Sequence, residues 1–388
     1  MSTNKLLESY LLCDNLETYD PYDIWKSSIG MKIKKLYYKN KYLGLIPAGA
    51  VTIYDLYINN SKRNGYYKQE YPIARAQASI ALLNLYKQEK NLKYIEYAKK
   101  HIDWLLQNNS IGYSGYCWGM NYDWVYTATE TYDKNTPFIT HTPYPLEALV
   151  LYYNITKDKT VLDAIKSIFL FLEKDIKVMR ETEDMLILSY GAQKDRIVTN
   201  ANSYGIYMYA LLIDFFPEKE EYIKSKIKKL YNFIKSVQQD DGSWLYAPYD
   251  KDTFIDCFHS AIVVKNLIKT SKLTYLEDVE TIITKGYDYI IENFMNKKYN
   301  LCKRFSISNK ISITKFDLYD NAEVLNLAIM LNDKETIQKL SNSIKKYFIN
   351  KDNDIASMID LCGKPKNFNH LRWAVVPYLN TLSKMENY

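Results

Sequence analysis

The strongest constraint in this chain is a couplet of helical patterns that keeps returning. Apolar residues recur at i, i+3, i+4 and i+7 in many windows, the spacing of one helix face. In each couplet a segment that is apolar on much of its surface precedes an amphipathic one. "YPIARAQASIALLNLYKQE" (71–89) is followed by "NLKYIEYAKKHIDWLLQ" (91–107), and "TPYPLEALVLYYNI" (142–155) by "KTVLDAIKSIFLFLEKDI" (159–176). The pattern repeats at 202–216 with 219–238, at 256–270 with 275–294, and at 318–331 with 334–350. A last apolar segment, 370–385, has no amphipathic partner after it, and an amphipathic stretch near 22–38 has none before it.

A segment apolar all round must be buried, and an amphipathic one must cover it. Six apolar segments at this long period therefore predict a ring of helical hairpins, apolar helices inside and amphipathic ones outside. The expected fold is all-α, an (α/α)6 toroid. Residues 1–60 supply N-terminal helices that complete the ring and 61–388 the toroid itself, together one domain. The 22–38 helix is expected to pair with the last inner helix. The scarcity of glycine (12) and proline (10) agrees, because turn-rich β folds need more of both.

Connections inside couplets are short, and those between couplets are long: 108–141, 177–201, 239–255, 295–317 and 351–369. In a ring the long ones emerge at one end, where the inner helices begin, and long loops on a rigid scaffold carry function. Polar residues collect at those starts: Arg75, His141, Asn200, Asn202, Tyr204, Asp256, His259, Asp317, Asp320, His370, Arg372 and Trp373. The loops add Trp118, Asp123, Trp124, Tyr190 and Trp244. Each has a plain structural alternative. Asn200 or Asp256 could be a helix cap, and "QQDDGSW" (238–244) could be a corner in which Gly242 takes a left-handed turn and Trp244 packs over the loop. Asp256 and His259, three positions apart, share a helix face.

The strings "EYPIARAQA", "CWG", "NANSYG", "QQDDGSW", "IDCFH" and "LRWAVVPYL" resemble the (α/α)6-toroid proteins of bacterial capsular and surface-polysaccharide gene clusters. That group is related in architecture to heparinase-type polysaccharide lyases, glucuronyl C5-epimerases and toroid glycoside hydrolases. The resemblance spans about residues 60–385. It implies a carbohydrate-active protein with an oligosaccharide or polysaccharide substrate, and it leaves the reaction open.

Two chemistries fit the polar rim. In a lyase or epimerase, a base removes the proton beside a carboxylate whose charge is neutralised; Tyr190 or Tyr204 with His259, Asn202 and Arg372 would serve. In a glycosidase two carboxylates flank the bond, about 6.5–9.5 Å apart for inversion; Asp256 with Asp317, Asp320 or Asp123 would serve. The asparagines, histidines and 38 tyrosines favour the first. Arg75, Trp118, Asp123, Trp124, His141, Asn200, Trp244, Asp317, Asp320, His370 and Trp373 are the candidate substrate contacts.

A non-catalytic glycan-binding protein is the first alternative. A zinc enzyme of prenyltransferase or lanthionine-cyclase type is the second, using Cys117, Cys257, His259 and Cys362 or His370. Against it, Asp256 and Cys257 diverge by about 100° on a helix, and no metal or other cofactor is expected. The five cysteines show no disulfide framework. Net charge of +6 is spread thinly along the chain with no arginine-rich tract or nucleic-acid motif, which argues against a nucleic-acid partner. No stretch approaches the roughly 18 apolar residues of a membrane span. The N-terminus does not read as a secretion signal, so a cytoplasmic location is expected. Oligomeric state is not legible.

Overall fold

The computed structural model describes residues 3–193, 196–251, 253–308 and 312–385. Four helices precede the couplets: α1 Thr3–Leu11, α2 Asp23–Lys26, α3 Ser28–Lys39 and α4 Lys41–Ile53. The couplets then appear as α5 Pro72–Glu89 with α6 Leu92–Gln107, and α7 Pro143–Thr156 with α8 Lys159–Leu170. They continue as α9 Thr199–Leu212 with α10 Glu220–Ser236, and α11 Cys257–Ser271 with α12 Val279–Phe294. The last are α13 Leu318–Leu331 with α14 Lys334–Phe348, and then α15 Val376–Leu382.

Each odd-numbered helix from α5 to α13 packs on the next, and α15 packs back on α5. The circuit is closed, as the apolar pattern requires: α9 buries thirteen of its fourteen residues. Its partner α10 buries only Ile223, Ile227, Leu230, Tyr231, Phe233 and Ile234, a single stripe at helical spacing. The axis carries a polar filling in which two lysines pair with glutamates and a third, Lys384, donates to the Asn326 amide oxygen. Lys265 pairs with Glu323 at 2.7 Å and Lys269 with Glu147 at 2.6 Å. The hydroxyl of Tyr144 meets those of Tyr204 at 2.5 Å and Tyr319 at 3.3 Å.

The N-terminal part departs from expectation. It is α1, not the 22–38 segment, that packs against α15; α3 pairs with α4 in a separate hairpin. The amphipathic pattern of 22–38 serves that hairpin and the loop strand Trp124–Val125. The last inner helix also begins later than its apolar pattern, because Leu371–Val375 form an irregular turn in which Trp373 and Ala374 leave helical geometry. The long connections are partly extended. Thr314–Asp317, Ala356–Asp360 and Pro365–Phe368 form a three-stranded antiparallel sheet, and Ile255–Asp256 pairs with Phe305–Ile307.

The corner at 238–244 is structural. Gly242 has φ +89°, and a Cβ there would lie 2.3 Å from the Lys285 carbonyl oxygen. Gln238 Nε2 donates to the Gly242 and Ile282 carbonyls, and Trp244 Nε1 to that of Ile234. The corner therefore ties α10 to α12.

Candidate active site

At one end of the ring the inner helices start, and their first turns are held by the strands that feed them. Asp256 ends the strand Ile255–Asp256, paired with Phe305, and its extended backbone turns directly into α11. One turn on, His259 Nδ1 lies 2.8 Å from each carboxylate oxygen of Asp256. A carboxylate can only accept, so Nδ1 carries the proton and Nε2 is left as the atom that can take one. Asp256 is buried whereas the imidazole is about 20% exposed, so the histidine is the accessible member of the pair.

Aromatic rings radiate from this dyad. The His259 ring centroid is 3.8 Å from Phe258 and 4.5 Å from Tyr246. Phe258 meets Trp373 at 5.3 Å, and Trp373 stacks on Tyr319 at 4.5 Å. Tyr22 stands edge-on to both Trp373 (5.5 Å) and Trp124 (5.8 Å). Tyr122 and Tyr71 continue the line from Trp124. On the other side the Arg196 guanidinium lies against Tyr246 and Tyr126, and rings continue through Tyr132 and Tyr190 to Phe138 and His141. Among the described residues Arg196 has only a long 3.7 Å ion-pair contact, to the half-exposed Asp250, and its buried Nε has no hydrogen-bond partner there.

Charges inside the wall are compensated. Arg304 donates to Asp317 at 2.8 Å, and Trp373 Nε1 bonds the same carboxylate. Burial raises the Asp317 pKa against the pull of Arg304. Asp320 accepts from the Phe258 backbone N–H at 3.0 Å, and burial pushes its pKa well above the usual carboxylate range. Arg372 bonds Asp20, which also faces Lys26 at 3.5 Å. Burial works to raise the Asp20 pKa, but Arg372 and Lys26 outweigh it and hold it below the ordinary value. Burial first, and then neighbouring arginines, push His141 and His370 down to about 3, so both are neutral at pH 7. Both feel the charge of Arg372, which lies 5.7 Å from the Trp373 ring, so His141, His370 and the His259 dyad belong to one end of the molecule.

Several expected contacts lie elsewhere. Arg75 is spent on His101, Glu70 and the Asp14 carbonyl, between α5, α6 and the N-terminal segment. Trp118 is fully buried, with Nε1 on the Leu105 carbonyl; Trp244 anchors the corner but also lines the small cavity beside Asp256 and His259. Asn202 is engaged in a backbone clamp: its amide holds the N–H and C=O of Leu188 and the carbonyl of Val198. Asn321 repeats that clamp on Cys302 and Asp317. Tyr204 commits its hydroxyl to Tyr144 on the axis. Asp123 caps a loop turn at Lys134 beside Trp124. Asn200 does stay near the dyad, lining with Asp256, His259 and Tyr246 a cavity of about 10 Å³, one water's worth. Among the described residues no group of three or more His, Cys, Asp and Glu is disposed to hold a metal ion. Cys117 Sγ faces the Ser110 carbonyl, and Cys257 lies by Cys302.

The residues missed from the sequence are Asp20, Tyr22, Lys26, Arg196 and Arg304. Asp20 precedes the amphipathic 22–38 stretch and Tyr22 and Lys26 open it, where they read as ordinary helix-face residues; the two arginines come from loops where nothing local marks them.

No family model matches the sequence, and no curated protein matches it. Solved structures do match in fold. The cellobiose 2-epimerase from Bacillus thermoamylovorans B4167 superposes with a TM-score of 0.64 at 14% identity, covering 81% of this chain and 86% of that one. A GH76 α-mannanase from Bacteroides thetaiotaomicron gives 0.58 at 11%, covering 94% and 97%. A polysaccharide lyase gives 0.55 at 10%, covering 92% and 97%. These likenesses establish the toroid.

Proposed function

We propose that the chain is a carbohydrate-active enzyme that moves a proton on a sugar of a bacterial surface or capsular glycan, in the manner of an epimerase or lyase. The observation that carries this reading is the Asp256–His259 dyad set in an aromatic wall. The aspartate fixes the tautomer and the imidazole offers Nε2 as base, while flat rings suit the apolar faces of a sugar. Hydrolysis is less well served. Asp256, Asp317 and Asp320 are buried, the first two held by His259 and Arg304, and Asp320 lies beneath Phe258. Solved structures that share this fold include a 2-epimerase, a mannanase and a lyase, which support sugar as substrate.

Arg196 supplies what an acidic sugar needs: a guanidinium beside the dyad's Tyr246 that no carboxylate among the described residues saturates. Arg196→Ala should raise KM about tenfold for a uronate-bearing substrate with a smaller change in kcat, and leave a neutral sugar unaffected. Steady-state kinetics on matched neutral and acidic oligosaccharides check this. The reading as a whole is tested by incubation in deuterated water. Deuterium at the carbon beside the carbonyl or carboxylate, or an unsaturated uronate, supports it. New reducing ends alone would replace it with hydrolysis, and binding without any product with a glycan-binding role.

A further inference from the structure

The hairpin of α3 and α4 is the most apolar exposed element of the described structure. Asn40 forms the turn and caps α4 by accepting from the Tyr42 and Leu43 N–H groups. The sequence of α4, "KYLGLIPAGAVTI", is apolar on nearly every side, yet only Gly44 is buried, against Tyr37. Tyr42 is 87% exposed, Ile46 79% and Leu43 64%. Ile29, Leu36 and Tyr38 of α3 extend the surface on one side, and Ile53, Tyr54, Tyr57 and Ile58 on the other. Helices apolar all round are normally buried, and contiguous apolar surface of this extent marks an interaction site.

Charge indicates what covers it. Residues 28–53 hold Lys32, Lys34, Lys35, Lys39 and Lys41 and no aspartate or glutamate. Lys34 is turned inward over the Trp124 ring; Lys39 and Lys41 are exposed on either side of the Asn40 turn, and Lys32 is exposed further back on α3. A second copy docking through the same hairpin would bring like charges together. A protein groove selects a stripe at helical spacing, whereas α4 has no polar face to leave outside. At thirteen residues it is about 20 Å long, too short for a bilayer core of about 30 Å. Apolar tip, tyrosines and a lysine collar are the composition of a helix seated in the headgroup region of an anionic bilayer.

We infer that the α3–α4 hairpin docks the protein on an anionic lipid surface. The hairpin stands beside the mouth: α3 packs on the strand Trp124–Val125, and Tyr38 lies within electrostatic reach of Arg196 and Tyr126. Seated in a bilayer, it holds the mouth at the membrane face. Only this last consequence rests on the proposed sugar chemistry; docking itself does not.

The test is co-sedimentation of the full chain with vesicles of phosphatidylcholine alone and of phosphatidylcholine mixed with phosphatidylglycerol. Binding to the mixed vesicles, weakened by added salt, is expected. Leu43→Glu with Ile46→Glu should abolish it, and Lys39→Glu with Lys41→Glu should weaken it about tenfold or more. All four residues are exposed, so an unchanged thermal melt confirms that each variant is folded. Failure of the wild-type chain to bind mixed vesicles overturns the inference. So does a sedimentation-velocity dimer that Leu43→Glu with Ile46→Glu converts to monomer, which would make the hairpin a contact between copies.

Discussion

Asp20→Ala should destabilise the protein by about 3–5 kcal/mol, read as a fall in the midpoint of chemical denaturation. Asp20 is wholly buried, and its carboxylate is bonded by Arg372 Nε and the Tyr22 N–H and faces Lys26. Lys26 keeps Asp23 at 3.0 Å, but Arg372 Nε loses its carboxylate while remaining buried. The loss of a buried charge's partner is what makes the change costly. Asp20→Ala combined with Arg372→Met should recover part of it, because the orphaned charge goes too. The pH dependence has a definite sign. The folded pKa of Asp20 lies below its unfolded value of about 3.9, so its contribution is present above that value and is lost as pH falls through the folded one. In Asp20→Ala that part of the acid sensitivity should vanish.

His259→Ala should lower kcat about 10²–10⁴-fold, the contribution of a positioned proton-transfer group. The imidazole is partly exposed, but it holds both oxygens of the buried Asp256 carboxylate, so removing it leaves that carboxylate without its donor and the melting temperature should also fall. Asp256→Asn acts through the histidine. An amide in place of the carboxylate can offer a donor to Nδ1 and so permit the wrong tautomer, which should lower kcat while KM changes less. Full activity in both variants would move the chemistry away from this dyad. A melt that stays cooperative and above the assay temperature distinguishes lost chemistry from lost folding.

Much of the architecture was legible because it is local. The apolar starts at 71, 142, 256 and 318 fall within one residue of the helices at 72, 143, 257 and 318, and the start at 202 within three of Thr199. The periodicity that marks these helices is also the force that buries them. The start at 370 was misplaced because Leu371–Val375 are apolar without being regular helix, and periodicity does not distinguish the two. The clamp made by Asn202 was not legible for a related reason. An asparagine at a helix start suits a catalyst, a cap or a backbone clamp equally, and only the neighbouring strand decides. Asp20 and Tyr22 were out of reach: the bond from Arg372 to Asp20 spans 352 positions, and no local pattern encodes it.

The wall of the mouth and the seam of the ring share residues. Asp20 and Tyr22 from the start of the chain meet Arg372 and Trp373 from its end, and nothing covalent joins the two sides there. A sugar that touches both sides would act as a rivet, with part of its binding energy spent on keeping the circle shut. Substrate grip and resistance to unfolding are thereby one thermodynamic quantity, and a mutation that loosens either must register in the other.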